Sequence, residues 1–202
     1  MGLVEIYGKV VPQKEGLMKS PFTAHDCVYY KYIIQEYRRS GKNSQWVTVK
    51  KGQDHRLFYL KDETGMVLIN PKDAKIDIPK DNQIESGLGH DPPAAAKAFL
   101  AAQNVRYEGL LGINKTMRYI EYFIAPDDHL YIMGTATDNP YTEEASAVKG
   151  VQDVMIAKGK HHKFYYISDR TEKDVLQRYR WKTYGGIIIG AILISLGTLM
   201  VM

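Results

Sequence analysis

The sequence predicts an α+β domain, predominantly antiparallel β, joined to a membrane by one helix at its C-terminal end. Three observations carry that prediction. Period-two or β-rich runs recur between turn residues along most of the chain. One alanine-rich stretch has the spacing of a helix. The last eighteen residues, 185–202, contain no charge and no proline. The strands are expected to form a barrel-like or meander sheet. The expected division is a β-rich soluble domain over 1–169, a juxtamembrane helix over 170–184 and a transmembrane helix over 185–202.

The strand runs are 3–11, 26–37, 45–50, 56–60, 66–70, 117–124, 129–135, 152–157 and 163–167. Turn chemistry separates them: Ser40-Gly41-Lys42-Asn43, Lys51-Gly52, Glu63-Thr64-Gly65, Ala125-Pro126-Asp127-Asp128 and Lys158-Gly159. The runs 45–50, 56–60 and 66–70 read as an antiparallel meander, and 118–134 as a hairpin. The helix covers 92–105, with Asp91 as its cap, Pro92 in its first turn and Ala95, Phe99 and Ala102 on one face. Residues 81–93, rich in Gly, Asp and Pro, read as a long loop.

Composition narrows the function classes. With 45% hydrophobic and 25% charged residues the chain is not expected to be disordered. A net charge of +4 is too mild to argue for nucleic acid. The fifteen tyrosines suit strands and polar-apolar boundaries. The single cysteine, Cys27, excludes an intramolecular disulfide and a Cys-based zinc cluster. Its place inside CVYYKYII marks it as a buried strand thiol.

The stretch GGIIIGAILISLGTLMVM spans about 27 Å as a helix, close to the ~30 Å hydrocarbon core of a bilayer. Before it stand Tyr179, Trp181 and Tyr184, which suit the interfacial belt, and Arg178, Arg180 and Lys182, which reach lipid phosphates. Within it, Gly186 and Gly190 form a GxxxG pair and Gly197 falls near the same face, a pattern that lets a second helix approach closely. Membrane lipid is therefore an expected partner, and homo-oligomerisation through this helix a further one. Taken as the only span, it places the domain on the cytoplasmic side by the positive-inside rule. The N-terminal run GLVEIYGKVV reads as a strand and not as a signal peptide.

Chemistry-bearing clusters are few. His161-His162 cannot both face one metal from a strand. Asp127-Asp128-His129 follows Ala125-Pro126 at a reverse turn, where Asp is favoured for backbone reasons. Asp62-Glu63-Thr64-Gly65 reads as another turn, with Gly65 supplying a positive φ. No nucleophile-elbow, zincin, Walker or dinucleotide glycine pattern is present. The run YYKYIIQEYRRSGK interleaves cations and aromatics as a single-strand nucleic-acid face would. It reads more simply as one core face and one wet face, so nucleic acid is not the expected partner. No catalytic residue, cofactor or metal is expected.

Four stretches resemble the GIDE domain, found in mitochondrial membrane-anchored RING ubiquitin ligases and in related prokaryotic proteins. They are SPFTAHDCVYYKYIIQEYRRS, FYLKDETGMVLINPKDAKI, RYIEYFIAPDDHLYIMGTATD and KFYYISDRTEKDVLQRYRW, in family order and followed by the span. The resemblance implies a ubiquitin-ligase label, but the ligases act through a zinc-binding RING, which one cysteine cannot build. It also implies a domain held between two membrane helices, hence extracytoplasmic, with a first helix upstream of Gly2. The reading is a membrane-anchored, non-catalytic interaction or sensory module, from a prokaryote, that meets an unidentified protein partner. The alternatives are a subunit of a ligase-like system whose RING is on another chain, and an OB-like nucleic-acid binder.

Overall fold

The computed structural model describes residues 2–14, 16–41, 43–109, 112–141, 153–160 and 164–169. The chain divides into two units, Met1–Asp169 and Arg170–Met202, and every described residue belongs to the first. In chain order the strands are β1 (Leu3–Pro12), β2 (Met18–Lys19), β3 (Asp26–Cys27), β4 (Tyr29–Ser40), β5 (Asn43–His55), β6 (Phe58–Lys61) and β7 (Met66–Ile69). They continue as β8 (Lys75–Asp77), β9 (Asn82–Ser86), β10 (Met117–Ile124), β11 (His129–Asp138), β12 (Val154–Ala157) and β13 (Tyr166–Ser168). The helix α1 (Ala94–Ala102) lies between β9 and β10.

Five of these strands close on themselves. The first half of β1 pairs antiparallel with β11, Leu3 opposite Thr135, and its end pairs with β6, Lys9 opposite Lys61. From there β6 pairs antiparallel with β7, β7 parallel with β12, and β12 antiparallel with β11. Counted along the chain, the ring runs 1-2-3-5-4, with its one parallel pair between third and fifth. This is the connectivity of an OB-type barrel. Closure follows from the alternation of each strand. The inward residues Val10, Phe58, Leu60, Ile69, Leu130, Ile132 and Ile156 are all buried in one core, while Glu5, Lys9 and Lys61 point out. Tyr165 and Ile167 join that core as the chain enters β13, which pairs with β11 on one side and with β8 on the other.

Two insertions into the barrel's connections build a second, antiparallel sheet of order β5-β4-β10-β9. The first connection, between β1 and β6, supplies β4 and β5; the connection between β7 and β11 supplies β9, α1 and β10. One face of this sheet packs on α1 in a separate core of Phe22, Tyr32, Ile34, Ala96, Leu100, Met117 and Tyr119. At the sheet's other end Val28, Tyr29 and Ile124 enter the barrel core and fill one end of the barrel.

Among the described residues the fold is thus β-rich and mostly antiparallel with one short helix, as expected, and four local expectations are corrected. Lys51-Gly52 is not a turn: β5 runs straight through it and pairs with β4, so 45–50 does not meander onto 56–60. A Cβ at Gly52 would stand 2.7 Å from the Tyr32 ring, so this glycine serves close approach within the strand. Second, 118–134 is not a hairpin: β10 pairs with β4 and β9, and β11 with strands of the barrel. The turn between them, with Asp127 at φ 71°, passes the chain from one sheet to the other. Third, Asp91 does not cap α1; it pairs with Lys97 and accepts from Asn114, and the buried helix residues are Ala96 and Leu100. The expected loop 81–93 contains β9, which completes the second sheet.

Candidate functional site

Among the described residues, the end of the barrel opposite the plug is open. A cavity of ≈ 220 Å³ sits there, and every barrel strand contributes to its wall. From β1 come Val4 and Ile6, from β6 Leu60, from β7 Val67, from β11 Ala136, and from β12 Val154 and Ile156. These are the inward positions of each strand at the end where β1 begins and β11 finishes. The wall is therefore aliphatic by the same alternation that makes the core, and the mouths of β-barrels are common ligand sites.

The rim is the turn between β6 and β7, held rigid by one side chain. Asp62 Oδ1 accepts from Thr64 N at 2.7 Å, Thr64 Oγ1 at 2.6 Å and Gly65 N at 3.0 Å. Those three donors hold the Asp62 carboxyl below its ordinary pKa. Over this rim the cavity continues into a wider groove on the outer side of β1, lined by Tyr7, Lys9, Lys61, Glu63, Asp127 and His129 among others. Tyr7 stacks on His129 with ring centroids 5.9 Å apart, and Lys9 pairs with Asp127 at 2.6 Å. The groove thus carries both signs of charge beside an apolar socket. Such a lining suits a polypeptide better than a polyanion, which calls for one sign throughout.

Asp127 and His129 apart, the reactive groups among the described residues lie away from the barrel mouth and its groove. Cys27 is buried, and its Sγ donates to the Met18 carbonyl at 3.6 Å. Burial, with Glu121, Asp26 and Asp54 nearby, pushes its thiol up to about 12, far from a nucleophile's range. Glu121 is wholly buried on β10, where it accepts from Phe22 N at 2.8 Å and Thr23 Oγ1 at 2.6 Å. It fixes the turn that seats Phe22 in the second core. Asp127, Asp128 and His129 stand at the sheet-to-barrel turn, where Asp128 Oδ2 accepts from Ala125 N at 2.7 Å. Among the described residues no group of three or more His, Cys, Asp or Glu side chains is arranged to hold a metal.

The model for the GIDE family, described as E3 ubiquitin ligase, matches residues 29–202 of the chain. The chain belongs to the GIDE family. No curated protein and no solved structure matches it. The match begins at β4, so β1, which closes the barrel and supplies Val4 and Ile6 to its mouth, precedes the matched residues of this GIDE chain.

The residues expected to meet the membrane or a second helix lie outside the described residues: Arg178, Tyr179, Arg180, Trp181, Lys182 and Tyr184 at the expected interface, and Gly186, Gly190 and Gly197 in the expected span. Among the described residues no helix is long and apolar enough to cross a membrane. The barrel mouth is not legible in local pattern, because alternation gives each strand one buried face and does not say which strands join. One signal was available. Gly8 and Gly134 fall at inward positions of otherwise apolar strands, which marks close backbone approach. A Cβ at Gly8 would lie 2.6 Å from the Lys61 carbonyl oxygen, and one at Gly134 would lie 2.8 Å from the Tyr165 ring.

Proposed function

We propose that this GIDE chain is a membrane-anchored, non-catalytic binding module whose barrel mouth takes up one apolar side chain of a protein partner. The observation that carries this reading is the aliphatic cavity walled by all the barrel strands and continued by a mixed-charge groove. Its size is apt: an apolar cavity of about 150 Å³ already admits benzene. A leucine, isoleucine or phenylalanine side chain on an extended segment fits the socket, with the segment's polar atoms along the groove. The expected span over 185–202 would hold this module at the bilayer.

The nucleic-acid reading finds less support in the same barrel. OB barrels bind oligonucleotides on the face of their second and third strands. Here those strands are β6 and β7, and their outward positions pair Tyr59 with Leu68, which is only 2% exposed. That is a poor stacking groove. The ligase-subunit reading rests on the family description alone.

The test fills the socket. A photoreactive side chain at Met66, on the rim, is expected to give a discrete protein adduct in cells. Ala136→Leu, which projects into the cavity from β11, is expected to abolish that adduct while the protein stays folded. An adduct pattern that A136L leaves unchanged would defeat the proposal. So would a full set of adducts from a probe at Leu88, which is exposed in the loop after β9.

A further inference from the structure

The second sheet has one face under α1 and one facing out, and the outer face has a composition of its own. Cross-strand register places Lys31 and Tyr37 of β4 beside Tyr122 of β10 and Trp46 of β5, with Lys51 and Arg118 among them. None of these six residues is buried. The Arg118 guanidinium lies 4.0 Å over the Trp46 ring, and Lys31 Nζ lies 5.2 Å over the Tyr122 ring. Tyr37 packs against Trp46 with centroids 5.1 Å apart. Glu85, on the same face, pairs with Arg118 at 2.9 Å.

We propose that this face is a second membrane contact, which lies against an anionic bilayer surface. Tryptophan, tyrosine, arginine and lysine on one exposed surface are the residues of the lipid head-group level, where an amphipathic ring and a cation are both satisfied. Four-stranded sheets with exposed aromatics also stack single-stranded bases. Here the geometry argues against that use, because the faces of Trp46 and Tyr122 are already occupied by Arg118 and Lys31. Lys31, Lys51 and Arg118 supply the cations for lipid phosphates, and Tyr37, Trp46 and Tyr122 the rings for the glycerol region. The expected C-terminal span makes the bilayer the surface at highest local concentration. This inference therefore shares the anchor with the proposed function but nothing of the barrel mouth.

The experiment uses the full chain carrying Trp181→Phe, which leaves Trp46 as its fluorophore. The protein is reconstituted into vesicles of phosphatidylcholine alone, or with an equal part of phosphatidylglycerol. In each, some lipid is brominated near the head-group end of the acyl chain. Trp46 emission is expected to be quenched in the anionic vesicles, less so in phosphatidylcholine alone. High salt and the pair Lys31→Glu/Lys51→Glu are both expected to remove the quenching. Trp46 that stays unquenched in the anionic vesicles at low salt, in protein that floats with them, would overturn this contact and leave the anchor standing. Protein that stays in the aqueous fraction would overturn both. Quenching that a single-stranded oligonucleotide relieves would assign the face to nucleic acid instead.

Discussion

Glu121 sits fully buried on β10, and its two oxygens accept the hydrogen bonds that tie the 20–25 turn to that strand. Removing the carboxyl leaves the Phe22 amide unsatisfied in a buried position. Glu121→Ala is expected to cost about 2–3 kcal/mol, as for a buried hydrogen bond to a charged group. Glu121→Gln keeps an acceptor for Phe22 and is expected to cost less. Urea denaturation midpoints measure both, and equal midpoints for wild type and E121A would sink the argument. Asp128 makes a prediction with the opposite sign to the usual carboxylate. Burial raises its pKa, against the lowering effects of the Ala125 amide, His25 and His129. A raised folded value means that the folded state binds the proton more tightly than the unfolded chain. Its contribution is thus complete below the unfolded value of about 4 and is lost as pH rises through the folded value. Asp128→Asn keeps an acceptor for Ala125 and cannot ionise. Relative to wild type its Tm is expected to improve between pH 3 and neutral; a constant difference across that range would refute the assignment.

At the scale of the element, glycine decides where strands run. Gly52 and Gly134 each lie under a tyrosine ring, Tyr32 in the second core and Tyr165 in the barrel. Gly52→Ala and Gly134→Ala are each expected to lower stability by about 1–3 kcal/mol through overpacking. A thermal melt checks this, and an unchanged Tm for either variant would show that the ring moves aside freely. The same two residues explain what could and could not be read from the sequence. Alternation located nearly every strand, because a strand with one buried face must repeat with period two. Gly52 reads locally as a turn because the sequence does not show which ring lies above it. Residues 118–134 looked like a hairpin because two alternating runs about a Pro-Asp-Asp turn have that form locally. Whether adjacent strands pair depends on competing partners. Here β4 takes one edge of β10 through eight register pairs from Met117↔Glu36 to Ile124↔Tyr29. β1 takes the matching edge of β11.

For the whole molecule, the two cores are interleaved along the chain. The path leaves the barrel after β1 for β4 and β5, returns for β6 and β7, leaves again for β9, α1 and β10, and returns for β11. The barrel core is completed by Val28, Tyr29 and Ile124, which the inserted segments bring in, so the described unit is expected to unfold as one. Phe58→Ala in the barrel and Leu100→Ala in the second core are expected to cost about 3–5 and about 2–5 kcal/mol respectively. In each variant the transitions followed by far-ultraviolet circular dichroism and by tyrosine fluorescence are expected to coincide. Separate transitions would show that the two cores fold independently.

The sequence by itself determined the β-rich class, most strand positions, the Ala-rich helix, and the family to which residues 29–202 belong. It also determined the expectation of a membrane anchor at 185–202. These follow from local pattern: residue period, turn chemistry, the length of an apolar run and the order of motifs. Only the tertiary structure decided that five strands close into an OB-type ring, that an inserted sheet plugs one end, and that Val4, Ile6, Ala136 and Val154 meet at the other. Those residues are separated by up to 150 positions in the chain. What brings them together is the choice of partner for each strand edge, a choice made by the global packing of two cores and carried by no local pattern.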